Sequence, residues 1–577
     1  MTHRRLTNYH LAEIFNTIAD LLEIKGEVIY KTLAYRKAAD SLENLGREVE
    51  DIWRQDELTD IPGVGKAIAE KIDELLTTGE LEFLEKLKAE VPPTLVDMLQ
   101  VSGLGPKKVA LFWQELDITT LEELEAAARA GKLRDLPGMG AKSESKVIAG
   151  IEALARRTKR TPLGQAWPFA QELLNWLRTL EGVGAAEAAG SLRRMRATVG
   201  DLDLLVGTAD SRPVMDAFIG RRDVVEVLGH GATKSSVEFA NGLRAQLWAH
   251  PPERFGTALQ YATGSKDHNV RLRELALSQG LSLSEHALTR QDGSEILCAA
   301  EEEVYRTLGL PWIPPELRED RGEVAAAKAG GLPKLVELAD IQAELQSHST
   351  WSDGKTSIRE MAEAARARGL KALAVTDHTQ SLGVAGGLSV EDLWEQRAEI
   401  EALQRELGDS IRVLHGTEVE IRADGSLDFP DEVLAQLDIV VASLHTSLGQ
   451  PRERVTQRLL NAIQNPHVDV IGHPTGRLIP DREGADLDME AVLAAAAEHG
   501  VALEINANPQ RLDLEDIYAR RAVELGVLLS INTDAHAPDQ LDLLHFGVAN
   551  ARRGWVARQQ VINAWDVDKL LRWLRER

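Results

Sequence analysis

The sequence predicts a multidomain protein with an all-α N-terminal region, an α+β middle and a C-terminal α/β barrel. Three observations carry this. Through residues 6–155 apolar positions recur at intervals of three and four (Leu11, Ile14, Phe15, Ile18, Leu21, Leu22) between glycine turns, the rhythm of amphipathic helices. From 165 to 310, β-branched segments with glycine turns (DLDLLVG, DVVEVLGHG, RAQLWAH) alternate with helical ones such as NVRLRELALSQG. From 341 onward, strand-like runs (KALAVTDH, IRVLHGTEVE, LDIVVASLH, VDVIGHP, VALEINAN, GVLLSINTDAH) alternate with helical segments. That βα rhythm favours a barrel with its chemistry at the strand C-terminal ends.

A chain of 577 residues exceeds what one hydrophobic core supports, so three to five domains are expected. Hydrophobic content of 44% and charged content of 27% are those of a soluble globular protein. The N-terminus lacks an apolar run followed by small residues, and nowhere do eighteen apolar residues follow one another. Export and membrane insertion are therefore not expected, and the cytoplasm is the expected location. The single cysteine, Cys298, rules out an internal disulfide or a zinc knuckle, so His, Asp and Glu must hold any metal. A net charge of -25 argues against binding nucleic acid by overall attraction. Local basic stretches remain: Arg156, Arg157, Lys159 and Arg160, and Arg193, Arg194 and Arg196.

Within the helical region, IPGVGKAIAEKI (61–72), VSGLGPKKVALF (101–112) and LPGMGAKSESKVI (136–148) form an internal repeat. Each carries a glycine pair: Gly63 and Gly65, Gly103 and Gly105, Gly138 and Gly140. Such a pair lets the chain turn tightly and points bare N–H groups from a helix N-terminus at a phosphate oxygen. This is the logic of a helix-hairpin-helix, which grips the DNA backbone without reading bases. A single copy often serves packing alone; repetition favours nucleic acid.

In the α+β region, GSLRRMRATVGDLDLLVG (190–207) puts Asp201 and Asp203 on alternate positions of an expected strand, so both carboxylates face one way. They can share two divalent ions about 3.5–4 Å apart, the arrangement that nucleotidyl transfer needs. Gly190 and Ser191 can offer an amide and a hydroxyl to a triphosphate, and Arg194 can neutralise it. A Gly-Ser at this distance before Asp-x-Asp is the nucleotidyltransferase pattern.

The barrel region concentrates metal-ligating side chains: His348 and Asp353 in QSHSTWSDG, His378 in TDH, Glu418 in HGTEVE, His445 in SLHTS, His473 in IGHP, and Asp534 and His536 in TDAH. Nearly all follow an apolar strand-like run, so a barrel would gather them on one face. Imidazole and carboxylate without thiolate suit zinc, manganese or iron in a multinuclear site for phosphoester hydrolysis.

AYRKAA at 34–39, followed by PGVGKAIAEKIDELLTTGELEFLEKL, resembles the N-terminal lyase and DNA-gripping domains of family X DNA polymerases such as polymerase beta. The resemblance implies that Lys71 forms a Schiff base with an abasic-site sugar, assisted by Lys31 and Tyr35; Ala67 departs from a basic residue expected in the first hairpin. It continues through YATGSKDHNVRLREL (261–275). There it implies that Tyr261, Gly264, Asn269 and Arg273 line the nucleotide and template pocket, together with Gly190, Ser191, Arg194 and Gly200, and that Arg160 meets phosphates. Ala262 replaces the family's phenylalanine, and in GLRAQLWAH (242–250) the family's third catalytic aspartate falls on Gln246. A neutral amide cannot take the proton from a primer 3′-OH. Weak activity, manganese dependence or a substitute such as Glu238 are the options this leaves.

Residues 341–577 resemble the PHP (polymerase and histidinol phosphatase) family, which implies a distorted (β/α)7 barrel. The first histidine of the family's H-x-H is Gln346 here, and Arg477, just beyond IGHP, is either a phosphate contact or a surface arginine. The whole order is similar to the bacterial family X polymerases. It implies a helical lyase-like domain (1–90), a fingers-like hairpin domain (91–158), a palm (159–262), a thumb-like domain (263–315), a linker (316–338) and a PHP domain (339–577). The expected cofactors are manganese or magnesium in the palm, and manganese, zinc or both in the PHP domain, up to a trinuclear set. The expected partners are gapped or nicked DNA and deoxynucleoside triphosphates, with the protein a monomer. The implied function is repair synthesis coupled to 3′-to-5′ exonuclease or 3′-end processing. The alternative is a DNA-end nuclease or phosphoesterase whose palm is weakened or inactive.

Overall fold

Leu11, Phe15 and Ile18 lie on one face of the helix Asn8–Lys25, and all are fully buried. The computed structural model describes residues 6, 8–43, 45, 49–101, 104–156 and 160–576. It divides into two units, 1–159 and 160–577. In the first, the face of Asn8–Lys25 packs into one apolar cluster with Ile72 of Lys66–Thr78, Leu84 of Glu82–Glu90 and Phe112 of Pro106–Leu116. The boundary expected at 90/91 thus runs through a continuous core, because the first helix serves both halves. Gly63 has φ +82°, and a Cβ there would stand 2.8 Å from the Lys37 side chain, so any other residue strains its turn. Gly65 and Gly105 cap Lys66–Thr78 and Pro106–Leu116, while Gly138 turns at φ +72° and the Gly140 carbonyl accepts from Glu144 N as Ala141–Arg156 begins. Gly103, Arg157 and Lys159 lie outside the described residues.

The second unit opens with a five-stranded sheet in the order Val183–Ala188, Leu202–Thr208, Arg244–His250, Lys234–Phe239, Val224–His230. Leu202–Thr208 and Arg244–His250 pair in parallel, and the other pairs are antiparallel. The helix Leu163–Arg178 buries Leu173, Leu174 and Leu177 in the core of this layer. Beyond it come the helices Phe255–Thr263 and Lys266–Ser278, a small antiparallel sheet and the helix Glu301–Thr307.

Residues 316–338, read as a linker for their charge and flanking prolines, are packed. Arg318 is fully buried and reaches Glu301 Oε1 at 2.6 Å; Leu317, Ala327 and Leu335 share a core with Leu272, Tyr305 and Trp555. Arg318, Glu319 and Glu323, charges that look solvated in the sequence, are buried and paired, while Lys328 and Lys334 stay exposed.

The C-terminal region is a sheet of seven strands, all parallel and in sequence order: Ala343–Glu344, Ala372–Val375, Arg412–Glu420, Ile439–Ser443, Val470–Gly472, Ala502–Asn506 and Leu529–Asn532. First and last strands meet at their C-terminal ends through a parallel bridge, Ser347 to Ala535. Lower down the Asn563 carboxamide fills the gap, donating to the carbonyls of Ala343 (3.0 Å) and Ile531 (2.9 Å) and accepting from Ile531 N (2.8 Å). The barrel therefore nearly closes, with one side chain standing in for missing ladder bonds. Among the described residues no helix is long and apolar enough to cross a membrane.

Candidate active sites

The strand Leu202–Thr208 carries Asp203, and Asp201 stands just before it. Asp203 is in register with Gln246 of the neighbouring parallel strand, and Gln246 Nε2 donates to Asp201 Oδ2 at 3.3 Å. A cavity of about 440 Å³ opens over the two carboxylates. Every residue expected around the nucleotide lines it: Arg160, Gly190, Ser191, Arg194, Gly200, Tyr261, Gly264, Asn269 and Arg273. Thr263 and Lys266, which the sequence reading passed over although both flank GS in YATGSKDH, line it too. Gly190 is needed for close approach, since a Cβ there would fall 2.1 Å from Asp203 Oδ2. Burial, then the charge of Asp201, pushes the Asp203 carboxyl up to about 6, against the pull of Lys234 and Arg194. Two carboxylates crowded in this way fit a divalent cation, which would remove their repulsion.

Asn269 is fixed by donating to the Tyr261 carbonyl (2.8 Å) and accepting from Gln260 Nε2 (2.7 Å). Arg160 donates to Thr198 Oγ1 (2.9 Å) and to its carbonyl (2.7 Å). The basic run after Gly190 is less open than it reads. Arg193 makes a two-pronged pair with Glu301, Arg194 Nε donates to Glu319 Oε1 at 3.1 Å, and Arg196 lies 3.5 Å from Glu319. Of these, Arg194 alone lines the cavity. Glu238, weighed as a substitute carboxylate, is buried, paired with Arg244 at 3.1 Å and outside the cavity lining.

At the barrel's C-terminal end the residues singled out as ligands meet around Glu418. His348, His378, His445 and His473 approach its carboxylate at 3.4, 3.2, 3.4 and 2.9 Å. Asp534 lies 3.0 Å from His348, while Asp353 lies 3.7 Å from His378 and 3.3 Å from His536. Three overlapping sets have ligand atoms within 4.8 Å of one another: His348, Asp353, His378 and His536; His378, Glu418 and His445; His348, Glu418 and Asp534. Buried polar atoms without a hydrogen-bond partner concentrate here, on His348, Glu418, His473, Asp534 and both amide atoms of Gln346. Such atoms call for a partner of their own, and imidazole and carboxylate groups at this spacing are of the kind that holds metal ions. Gln346 is wholly buried, so it can offer its amide oxygen where the family has imidazole.

Burial opposes charge on His348 and His445, but Asp534 and Glu418 outweigh it at His348 and Glu418 and Glu420 at His445, holding them up at about 9 and about 10. His378, with burial prevailing, is pulled down to about 3. Asp534 carries this site in a left-handed backbone conformation, φ +56°, a strain that recurs where side chains must be aimed.

Comparison with known proteins separates these sites into modules. Models of the helix-hairpin-helix domain and of the SAM-like helix-hairpin-helix tandem match residues 6–81 and 95–153, the DNA polymerase beta thumb matches 258–319, and the PHP domain matches 344–508. The chain is 40% identical over 559 residues to a DNA polymerase/3'-5' exonuclease PolX of Bacillus subtilis, covering 96% of this chain and 97% of that one. This chain belongs to the bacterial PolX family. Other relatives cover parts of it. DNA polymerase lambda of Rattus norvegicus is 26% identical over 55% of this chain and 57% of its own, and a probable phosphatase of Thermoanaerobacter is 32% identical over 38% of this chain and 89% of its own.

In this PolX chain the sequence reading missed the layer behind the barrel ligands. Glu420 accepts from His445 Nδ1 at 2.8 Å, Glu504 accepts from His473 N at 2.8 Å, and Glu344 accepts from Thr533 Oγ1 at 2.7 Å. Glu420 stood two places after Glu418 on the same strand face, a signal that period-two reasoning could have found. Arg477 is neither a free phosphate contact nor a surface residue: its guanidinium donates to the Arg511 and Leu512 carbonyls and lies 2.8 Å from Glu515. In the N-terminal unit Lys71 Nζ sits 5.0 Å over the Phe83 ring, and Tyr35 stacks on the same ring at 6.0 Å. Lys31 pairs instead with Glu27 at 3.0 Å.

Proposed function

We propose that this PolX chain is a cytoplasmic, monomeric gap-repair enzyme that adds nucleotides in the cavity over Asp201 and Asp203 and removes 3′ nucleotides at the barrel cluster. The observation that carries the reading is the convergence of all the expected nucleotide residues and both carboxylates on one cavity wall. Membership of a family whose Bacillus member is named for both activities supports the pairing. Glycine hairpins before three helices support a grip on the phosphates of gapped or nicked DNA.

Asp201 and Asp203 would hold magnesium or manganese; the eight barrel side chains, with the Gln346 oxygen, would hold manganese, zinc or both, up to three ions. Such ions neutralise phosphoryl oxygens and lower the barrier to in-line displacement at phosphorus. The chain's own groups do the rest. Gly190 leaves room for a triphosphate against Asp203, Arg194 and Arg160 meet its charge, and Asn269 with Tyr261 shapes the base end of the cavity. Lys71, with its amine over an aromatic ring shared with Tyr35, is a nucleophile for an abasic-site aldehyde; borohydride trapping that vanishes in Lys71→Ala tests that step.

Gln246 favours a second reading, an end-processing nuclease with a slow palm. It donates to Asp201 where a carboxylate would accept a proton. Primer extension and 3′ degradation measured on one gapped duplex, in magnesium and then manganese, decide between them. Extension in either metal supports the polymerase; degradation with no extension in both supports the nuclease.

A further inference from the structure

Behind the barrel cluster runs the loop NPQRLDL, residues 508–514. Its Arg511 points at the cluster: Nε lies 3.8 Å from Asp534 Oδ2, its closest acid. The guanidinium makes no hydrogen bond to any described residue, in contrast with Arg477, which is spent on this loop's own carbonyls. The guanidinium of Arg482 is near enough for the two positive charges to oppose one another, and two of its nitrogens are anchored on the Gly476 carbonyl. An uncommitted fork beside a catalytic carboxylate, with a second cation near, is a site for a doubly coordinated phosphate.

The palm holds this loop in place. Leu512, next to Arg511, is buried in the palm's apolar cluster with Leu163, Leu173 and Phe218, and it adopts φ +44°. A bulky residue stays in the left-handed region only where its surroundings over-determine it. One turn earlier Pro509 abuts the palm helix Leu163–Arg178 so closely that a Cβ on Gly164 would stand 2.6 Å from its ring. The loop thus has its leucine and proline in the palm and its arginine at the barrel site.

We propose that Arg511 binds the substrate phosphate of the exonuclease site, and that the palm surface at Gly164 and around Leu512 holds it there. This rests on the exonuclease reading above. It makes 3′-end hydrolysis dependent on palm packing while leaving it independent of the palm's carboxylates.

The test uses the full-length enzyme. Phenylglyoxal with peptide mapping, on protein stripped of metal by chelation, should modify Arg511 ahead of Arg477, and thymidine 5′-monophosphate should protect it. Arg511→Met should lower exonuclease kcat/KM by roughly 10–100-fold with bound metal unchanged, and Arg511→Lys should recover part of the loss. Gly164→Ala, which leaves every proposed ligand in place, should lower exonuclease activity in the same direction and change how fast Arg511 is modified. Exonuclease unchanged in Arg511→Met, or Arg511 modified without protection, overturns the assignment. Unchanged activity and modification in Gly164→Ala overturns the role of the palm. A parent enzyme that degrades no 3′ end would instead overturn the exonuclease reading itself.

Discussion

Gln246 stands in register with Asp203 and donates its amide to Asp201 at 3.3 Å, so a neutral donor, not a third acid, is aimed at the carboxylate pair. Placing an acid there, Gln246→Asp, exchanges that hydrogen bond for a carboxylate able to hold a second ion and accept the primer proton. Magnesium-supported insertion should rise about 10²-fold or more, with DNA affinity little changed, and the parent should favour manganese. Single-turnover insertion on a gapped duplex, with Asp534→Ala silencing degradation, measures it. A parent already fast in magnesium, with no gain in the variant, would show that another group takes the proton.

Among the described residues, the grouped ligands of the barrel cluster come from barrel strands and their loops. His348→Ala or Asp534→Ala should therefore abolish 3′ degradation, a loss of at least about 10³-fold, and lower the bound metal counted by elemental analysis. Asp201→Ala should leave degradation within about twofold of the parent while stopping extension. Equal loss of degradation in a folded Asp201→Ala enzyme would refute two separate sites.

Much of this was legible because short linear patterns fix local geometry. Gly-Ser before Asp-x-Asp sets its residues across the short helix Gly190–Arg193 and the strand Leu202–Thr208, and YATGSKDHNVR across the turn between the helices Phe255–Thr263 and Lys266–Ser278; that the two segments share one cavity wall is a long-range contact which the family resemblance implied. The barrel ligands were legible for a related reason, nearly all of them following an apolar strand-like run. What the sequence hides is the choice of partner across long separations. Nothing in RRMR indicates that Arg193 will meet Glu301 or that Arg194 will meet Glu319. Nor does anything local in 316–338 mark Arg318 and Glu323 as buried rather than solvated. Arg477 and Arg511 are alike as letters; only the fold commits one to carbonyls and leaves the other facing Asp534.

The hairpin glycines give a prediction for binding. Gly63 turns at φ +82° directly against Lys37, and Gly105 caps its helix with open space where a Cβ would be. Gly63→Val should weaken DNA binding roughly tenfold for every sequence alike, because amide-to-phosphate contacts carry no base information. It should also cost about 1–3 kcal/mol of local stability through backbone strain. Gly105→Val should weaken binding with little loss of stability, since nothing crowds its Cβ. Anisotropy titrations with unrelated duplexes across a salt series check both, and selective loss of one duplex would require base readout.

The last prediction concerns the buried ion network where the barrel helix Leu544–Arg553 meets the palm. Arg553 reaches Glu319 at 2.9 Å, Asp516 at 2.7 Å and the Arg194 carbonyl at 2.6 Å, so it ties a residue of the nucleotide cavity to the barrel. Burial alone would raise both carboxyls, but Arg194 and Arg553 outweigh it at Glu319, as do Arg321 and Arg553 at Asp516, and both sit well below the usual carboxylate range. Arg553→Met leaves two buried carboxylates short of a cation and should cost about 3–5 kcal/mol. The pH dependence follows from the direction of the shifts. A carboxyl depressed in the folded state stabilises fully above its unfolded value, about 4, and the stabilisation is lost as pH falls through the depressed folded value. The gap in urea midpoint between parent and Arg553→Met should therefore hold between pH 7 and pH 5 and shrink only below about pH 4. A gap that stays unchanged below about pH 4 would mean that these carboxyls titrate near their ordinary values and that Arg553 stabilises by packing rather than by charge.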